Sequence, residues 1–165
     1  MKFLHPSFIE VLRTLIKCDV DFLLIGGYAV NYHGYGRPTG DLDIWIRADD
    51  DNKQKCLKAF EELKYNSESI DAVRKLNFRK PAVFFVGEEP LRIDFLTAVN
   101  LINFEDAWKK KNILSIQDLR IPVVDYHHLV LTKISTGRTR DKLDLEELQK
   151  INQKKKKDTD SNSKI

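Results

Sequence analysis

Phe22-Leu23-Leu24-Ile25-Gly26-Gly27 and, thirteen residues further on, Asp41-Leu42-Asp43-Ile44-Trp45-Ile46-Arg47 decide how this chain folds. The first stretch is a short unbroken apolar run stopped by two glycines, the pattern of a strand covered on both faces. The second alternates strictly, with Leu42, Ile44 and Ile46 on one face and Asp41, Asp43, Trp45 and Arg47 on the other. The two carboxylates therefore point the same way. Between the stretches a short helix from Tyr28 to about His33 is expected, and then Gly34-Tyr35-Gly36-Arg37-Pro38-Thr39-Gly40, with three glycines and a proline in seven residues, reads as a loop.

Working outward, residues 6–17 place Phe8, Ile9, Leu12, Leu15 and Ile16 at helical spacing. Asp49-Asp50-Asp51 offers an N-cap and a dipole partner for a helix over 51–64, and a further helical turn or two is expected over 69–76. Strands over 82–86 and 91–96 flank the turn Gly87-Glu88-Glu89-Pro90. In the latter strand Leu91, Ile93 and Phe95 share one face, and Asp94 stands on the other among apolar neighbours. Helices over 103–110, 125–136 and 141–151 and a strand over 119–124 complete the reading. The aromatics Phe84, Phe85, Trp45 and Trp108 read as core, with Trp45 also placed to stack on a base. The expected fold is α/β: a mixed sheet of four or five strands, flanking helices and a helical C-terminal part.

The chain has 165 residues, 42% hydrophobic and 32% charged, the size of one compact domain. No window approaches the ~20 apolar residues of a membrane span, and Met1-Lys2-Phe3-Leu4-His5-Pro6 lacks the apolar core of a secretory signal, so the expectation is cytoplasmic. Cys18 and Cys56 form no Cys-x-x-Cys pair and read as buried reduced thiols. Residues 150–165 hold six lysines and two aspartates; this +4 within a total of +3 leaves the body at −1. The expected division is one domain over 1–151 and a lysine-rich disordered tail over 152–165. A solvated tail needs no function; an RNA-steering arm is the alternative.

Asp41, Asp43 and Asp94 carry the chemistry. Residues two apart on a strand lie about 6.6–7 Å apart, so their carboxylates can converge on one ion. Oxygen-only ligands favour Mg2+, which takes phosphate oxygens from a substrate, and a second metal would complete the clamp used for nucleotidyl displacement. Gly26 and Gly27, between a buried strand and a short helix, let backbone approach phosphates. Arg37 and Thr39 sit in the loop just before the acidic strand, where a guanidinium can neutralise a triphosphate. The bland alternatives are a solvent-facing edge strand for Asp41 and Asp43, an ion pair with Arg92 for Asp94, a strand end for the glycines, and a loop salt bridge for Arg37. His33 reads as a packing residue and His127-His128 as bland, since adjacent helical residues point about 100° apart.

Ile25-Gly26-Gly27, the interval, Asp41-Leu42-Asp43-Ile44 and the later Ile93-Asp94-Phe95 resemble the nucleotidyltransferases of the DNA polymerase β superfold, with an interval at the long end. Gly26-Gly27-Tyr28-Ala29-Val30 with His33-Gly34, Arg37, Thr39 and the acidic strand looks most like a small bacterial branch related to AbiEii-type abortive-infection toxins. The resemblance spans about residues 22–148. It implies that Lys133 and, after it, Arg138, Asp141 and Asp144 serve the site, with helix capping as the plain reading of the last three. It also implies Mg2+-dependent transfer of a nucleoside monophosphate from an NTP such as ATP to an acceptor hydroxyl, in a toxin–antitoxin setting. Asp41 and Asp43 would hold metal, and Asp94 would ligate or act as base. The acceptor stays open among tRNA, a protein hydroxyl and a small molecule. The alternative of another class is a non-catalytic module of the same fold that binds a protein partner.

Overall fold

The computed structural model describes residues 4–162. α1 (Pro6–Lys17) begins on a proline, which costs no hydrogen bond in a first turn, and buries Phe8, Val11, Leu12 and Leu15. β1 (Phe22–Leu24) is buried at every residue, and α2 (Gly26–Tyr32) starts one residue later. The loop then leads to β2 (Leu42–Ile46). Asp49 caps α3 (Asp50–Glu62) by accepting the Asn52 N–H at 2.7 Å. There follow α4 (Ser67–Lys75), β3 (Val83–Val86), β4 (Ile93–Leu96), α5 (Phe104–Lys110), β5 (Asn112–Ile116), β6 (Leu119–Val123), α6 (Tyr126–Ile134) and α7 (Thr139–Asn162).

One mixed sheet runs in the order β3-β4-β2-β1-β6-β5. β2 and β4 are parallel, as are β1 and β6; β1–β2, β3–β4 and β5–β6 are antiparallel. The sheet has one strand more than expected. β5 escapes the sequence because it is an edge strand of modest pattern, and its turn to β6 uses Gln117 with φ 53° in place of a glycine.

Burial on the helix side of the sheet explains why β2 alternates: Leu42, Ile44 and Ile46 have no exposure, and Phe60 of α3 meets Phe95 edge-on at 5.2 Å while Phe84 stacks on Phe95 at 5.2 Å. Phe85 departs from its expected core role. It is 66% exposed, because β3 is the outer strand and Phe85 alternates away from the face that Phe84 packs on. Trp45 is 1% exposed and meets Phe104 edge-on at 5.1 Å, which makes it core and leaves no face for a base. Trp108 stacks on Phe104. Both cysteines are buried and free, and burial pushes the Cys56 thiol up to about 12.

The C-terminal boundary also differs from the expectation. α7 continues past residue 151 to Asn162, because lysine and glutamine are good helix formers and a nucleated helix extends at little cost. Residues 163–165 of the expected tail lie outside the described residues. No described helix is long and apolar enough to cross a membrane.

Candidate active site

The site is built where β2 and β4 run side by side. Asp43 and Asp94 are register partners on these parallel strands, so their side chains share one face from backbones one strand spacing, about 4.8 Å, apart. Burial raises the Asp43 carboxyl to about 6, with Asp94 and Asp41 adding to the rise and Lys133 and the Gly27 N–H opposing it. A group so placed gains from a cation, and its donors are all oxygen, which fits Mg2+. Asp41 stands just ahead of β2.

Arg92 shares this face. Its Nη2 donates to Asp94 Oδ2 at 3.1 Å, its Nε lies 2.8 Å from Asp94 Oδ1, and its Nη2 lies 3.6 Å from Asp41. Among the described residues no group of three His, Cys, Asp or Glu side chains converges to enclose a metal ion. The side chains as placed are thus Asp43 and Asp94 in register, with Arg92 between Asp94 and Asp41. Arg92 was legible only through alternation, since it lies two residues before Asp94 on the same face.

The glycines serve the carboxylate directly. Gly26 has φ 64°, and a Cβ there would stand 1.9 Å from Asp43 Oδ2; a Cβ on Gly27 would stand 2.2 Å from Thr39 Oγ1. The space they leave is occupied by protein atoms, and the Gly27 N–H is bonded to Asp43. Gly26→Ala is expected to cost about 1–2 kcal/mol from the left-handed backbone alone, and more from the contact with Asp43. A thermal melt checks this, and Asp43→Ala in the same chain should recover part of the loss.

Arg37 and Lys133 meet in a buried charge cluster. Arg37 Nε and Nη2 donate to both oxygens of Asp144 at 2.6 and 2.7 Å, and the two side chains are 11% and 0% exposed. Lys133 Nζ donates to Asp141 at 2.5 Å and lies 3.0 Å from Asp144, while Thr136 donates to the other oxygen of Asp141 at 2.5 Å. Burial alone would raise the Asp144 carboxyl, but donation from Arg37 and Lys133 holds it below its ordinary value. The loop before β2 is tied at its middle from two elements. Asn31 of α2 exchanges hydrogen bonds with the Arg37 backbone at 3.0 Å, and Arg140 of α7 donates to the Pro38 carbonyl at 2.7 Å.

Between this cluster and the sheet lies a cleft of about 290 Å3, lined by Gly26, Asp43, Leu96, Val99, Thr132, Lys133, Thr136, Arg138 and Asp141. Of the expected residues, Gly26, Asp43, Lys133, Arg138 and Asp141 line it. Asp94 adjoins it through Asp43, Arg37 and Asp144 stand behind it, and Thr39 packs under Gly27. Sequence reasoning missed Thr132 and Thr136, whose only signal is their spacing of one and three residues from Lys133. His33 accepts the packing role, its Nε2 2.8 Å from the Val124 carbonyl; His128 contacts Asp125, the cap of α6.

Residues 5–164 match a family model described as Nucleotidyl transferase of unknown function (DUF2204). The structure is similar to that of a lincosamide antibiotic adenylyltransferase, LnuA, bound to lincomycin, with a TM-score of 0.55 at 18% identity over 90% of this chain and 98% of that one. It is also similar to a putative nucleotidyltransferase (TM1012) of Thermotoga maritima, with a TM-score of 0.53 at 13% identity over 88% and 94%. At such identities the likeness is one of fold. No curated protein matches the sequence.

Proposed function

The chain belongs to this family of nucleotidyl transferases, and from that premise we propose that it moves a nucleoside monophosphate from an NTP to an acceptor hydroxyl, releasing pyrophosphate, with Mg2+ as cofactor. The observation that carries the reading is the register of Asp43 with Asp94, where Asp43 lines a cleft that Lys133 also lines. Asp41, Asp43 and Asp94 would hold Mg2+, which when bound would neutralise phosphate charge and orient the α-phosphorus. The acceptor oxygen forms the new bond to that phosphorus as the bond to the pyrophosphate oxygen breaks. Asp94 would take the hydroxyl proton or share in ligation, and Lys133 and Arg138 would face the triphosphate. Arg37 acts through Asp144, which in turn holds Lys133. A toxin–antitoxin setting follows the AbiEii resemblance, and the acceptor is drawn from tRNA, a protein hydroxyl or a small molecule; the acceptor side of the lincosamide enzyme belongs to the last class.

Calorimetric titration of each NTP, with and without Mg2+, tests this. Metal-dependent binding in the wild type that is lost in Asp41→Ala and Asp43→Ala supports the transferase. The bridging of Asp41 and Asp94 by Arg92 favours the second reading, a non-catalytic module for a protein partner. No NTP binding by the wild type, with a protein partner retained through purification, would favour it.

A further inference from the structure

β3 ends the sheet, and Val83 and Phe85, 67% and 66% exposed, stand on the face that Asp94 shares, with the Arg92 guanidinium 5.9 Å from the Phe85 ring centre. Edge strands with apolar, uncharged outer residues are ready templates for another strand. The opposite edge differs: the exposed residues of β5 are Asn112 and Ser115, and its Ile113, Leu114 and Ile116 are partly buried. The exposed apolar side chains of the two edges thus lie on β3.

The residues flanking β3 say what would cover it. Arg79 and Lys80 precede the strand and Glu88 and Glu89 follow it, all exposed. A strand with a basic entry and an acidic exit is complementary to itself when run antiparallel. A two-fold axis perpendicular to the sheet keeps the buried faces of both copies on the same side, so residues of like face must pair. Centring the pair on Phe84 sets Val83 beside the partner subunit's Phe85 and Phe85 beside the partner subunit's Val83. The same register brings the basic entry, Arg79 and Lys80, to the end at which the partner subunit's chain turns at Gly87 into Glu88 and Glu89. Centring on Phe85 would instead set Val83 beside a glycine.

We propose that β3 is the contact edge of a two-fold homodimer, in which two copies of this chain pair antiparallel about Phe84 and join their six-stranded sheets. Val83 and Phe85 make the aromatic–aliphatic cross-strand pairs that stabilise such ladders. Arg79 and Glu89 hold partners within one chain, Asp50 at 2.6 Å and Arg92 at 3.6 Å, whereas Lys80 and Glu88 make no ion pair among the described residues and are the charges set aside for the contact. A four-residue strand makes a small interface, so association depends on concentration.

Sedimentation velocity of the full chain from low micromolar to near-millimolar concentration tests this. The wild type is expected to shift from monomer to dimer across that range. Lys80→Glu and Glu88→Lys should each weaken association by about tenfold or more by setting like charges at the same end of the pair, and the double reversal should restore it. Phe85→Lys, at an exposed position, should hold the chain monomeric with unchanged circular dichroism. A wild type that stays monomeric throughout overturns the proposal. A dimer that neither Phe85→Lys nor the single reversals loosen overturns it too, and weakening by both reversals without recovery in the double variant overturns the register.

Discussion

Asp144→Ala is expected to cost the fold about 3–5 kcal/mol, a large share of the 5–15 kcal/mol that holds a domain of this size. The carboxylate has no exposure and accepts both nitrogens of the Arg37 fork while lying 3.0 Å from Lys133. Its removal leaves the Arg37 guanidinium buried without a carboxylate while Lys133 keeps only Asp141, and it is the uncompensated charge on Arg37, more than the lost bonds, that sets the size of the effect. Denaturant unfolding measures it. Where the variant fails to fold, Asp144→Asn keeps one acceptor and should fall between it and the wild type. Arg37→Met combined with Asp144→Leu removes a cation together with the anion, and should be more stable than Asp144→Ala alone.

Asp43→Asn is expected to move activity and stability in opposite directions. On the proposed function, transfer should fall on the order of 10²–10³-fold or more, because the amide cannot supply the charge proposed to hold Mg2+ beside the phosphates. The fold, measured in chelator at pH 8, should become more stable by about 1–3 kcal/mol. The sign follows from the raised carboxyl, at about 6 in the folded chain against an ordinary 3.8. The folded state holds this proton more tightly than the unfolded one, so stability falls as the pH rises from about 4 to about 6 and the whole penalty stands above that. Below about pH 4 both states are protonated and the variant's advantage should vanish. Melting temperatures of the two proteins across pH 4–8 check the convergence.

Much of this was legible in the sequence because strand periodicity is strict. The alternation through Leu42, Asp43 and Ile44, and through Ile93, Asp94 and Phe95, fixes which side chains share a face, and the sheet then pairs those faces. What stayed hidden depends on contacts between distant segments. Nothing near Arg37 tells that its partner is Asp144, and an apolar phenylalanine in an apolar strand, Phe85, reads as core until the strand is known to be outermost. The glycines were found for their place in the chain, but the demand on them comes from Asp43 and Thr39 across the loop. The end of α7 was misjudged because a run of lysines satisfies a helix as readily as it satisfies a solvated coil.

The loop stapled at Asn31 and Arg140 binds the first and last thirds of the chain into one opening unit. Amide exchange at Gly27 and Arg37 should therefore proceed at the same free energy as that of the first turns of α7, and both should collapse together when the staple is cut. The cleft cannot loosen on the sheet side alone: any breathing that widens it has to lift the terminal helix as well, so occupancy of the cleft would be felt as protection along a helix most of which never meets the occupant.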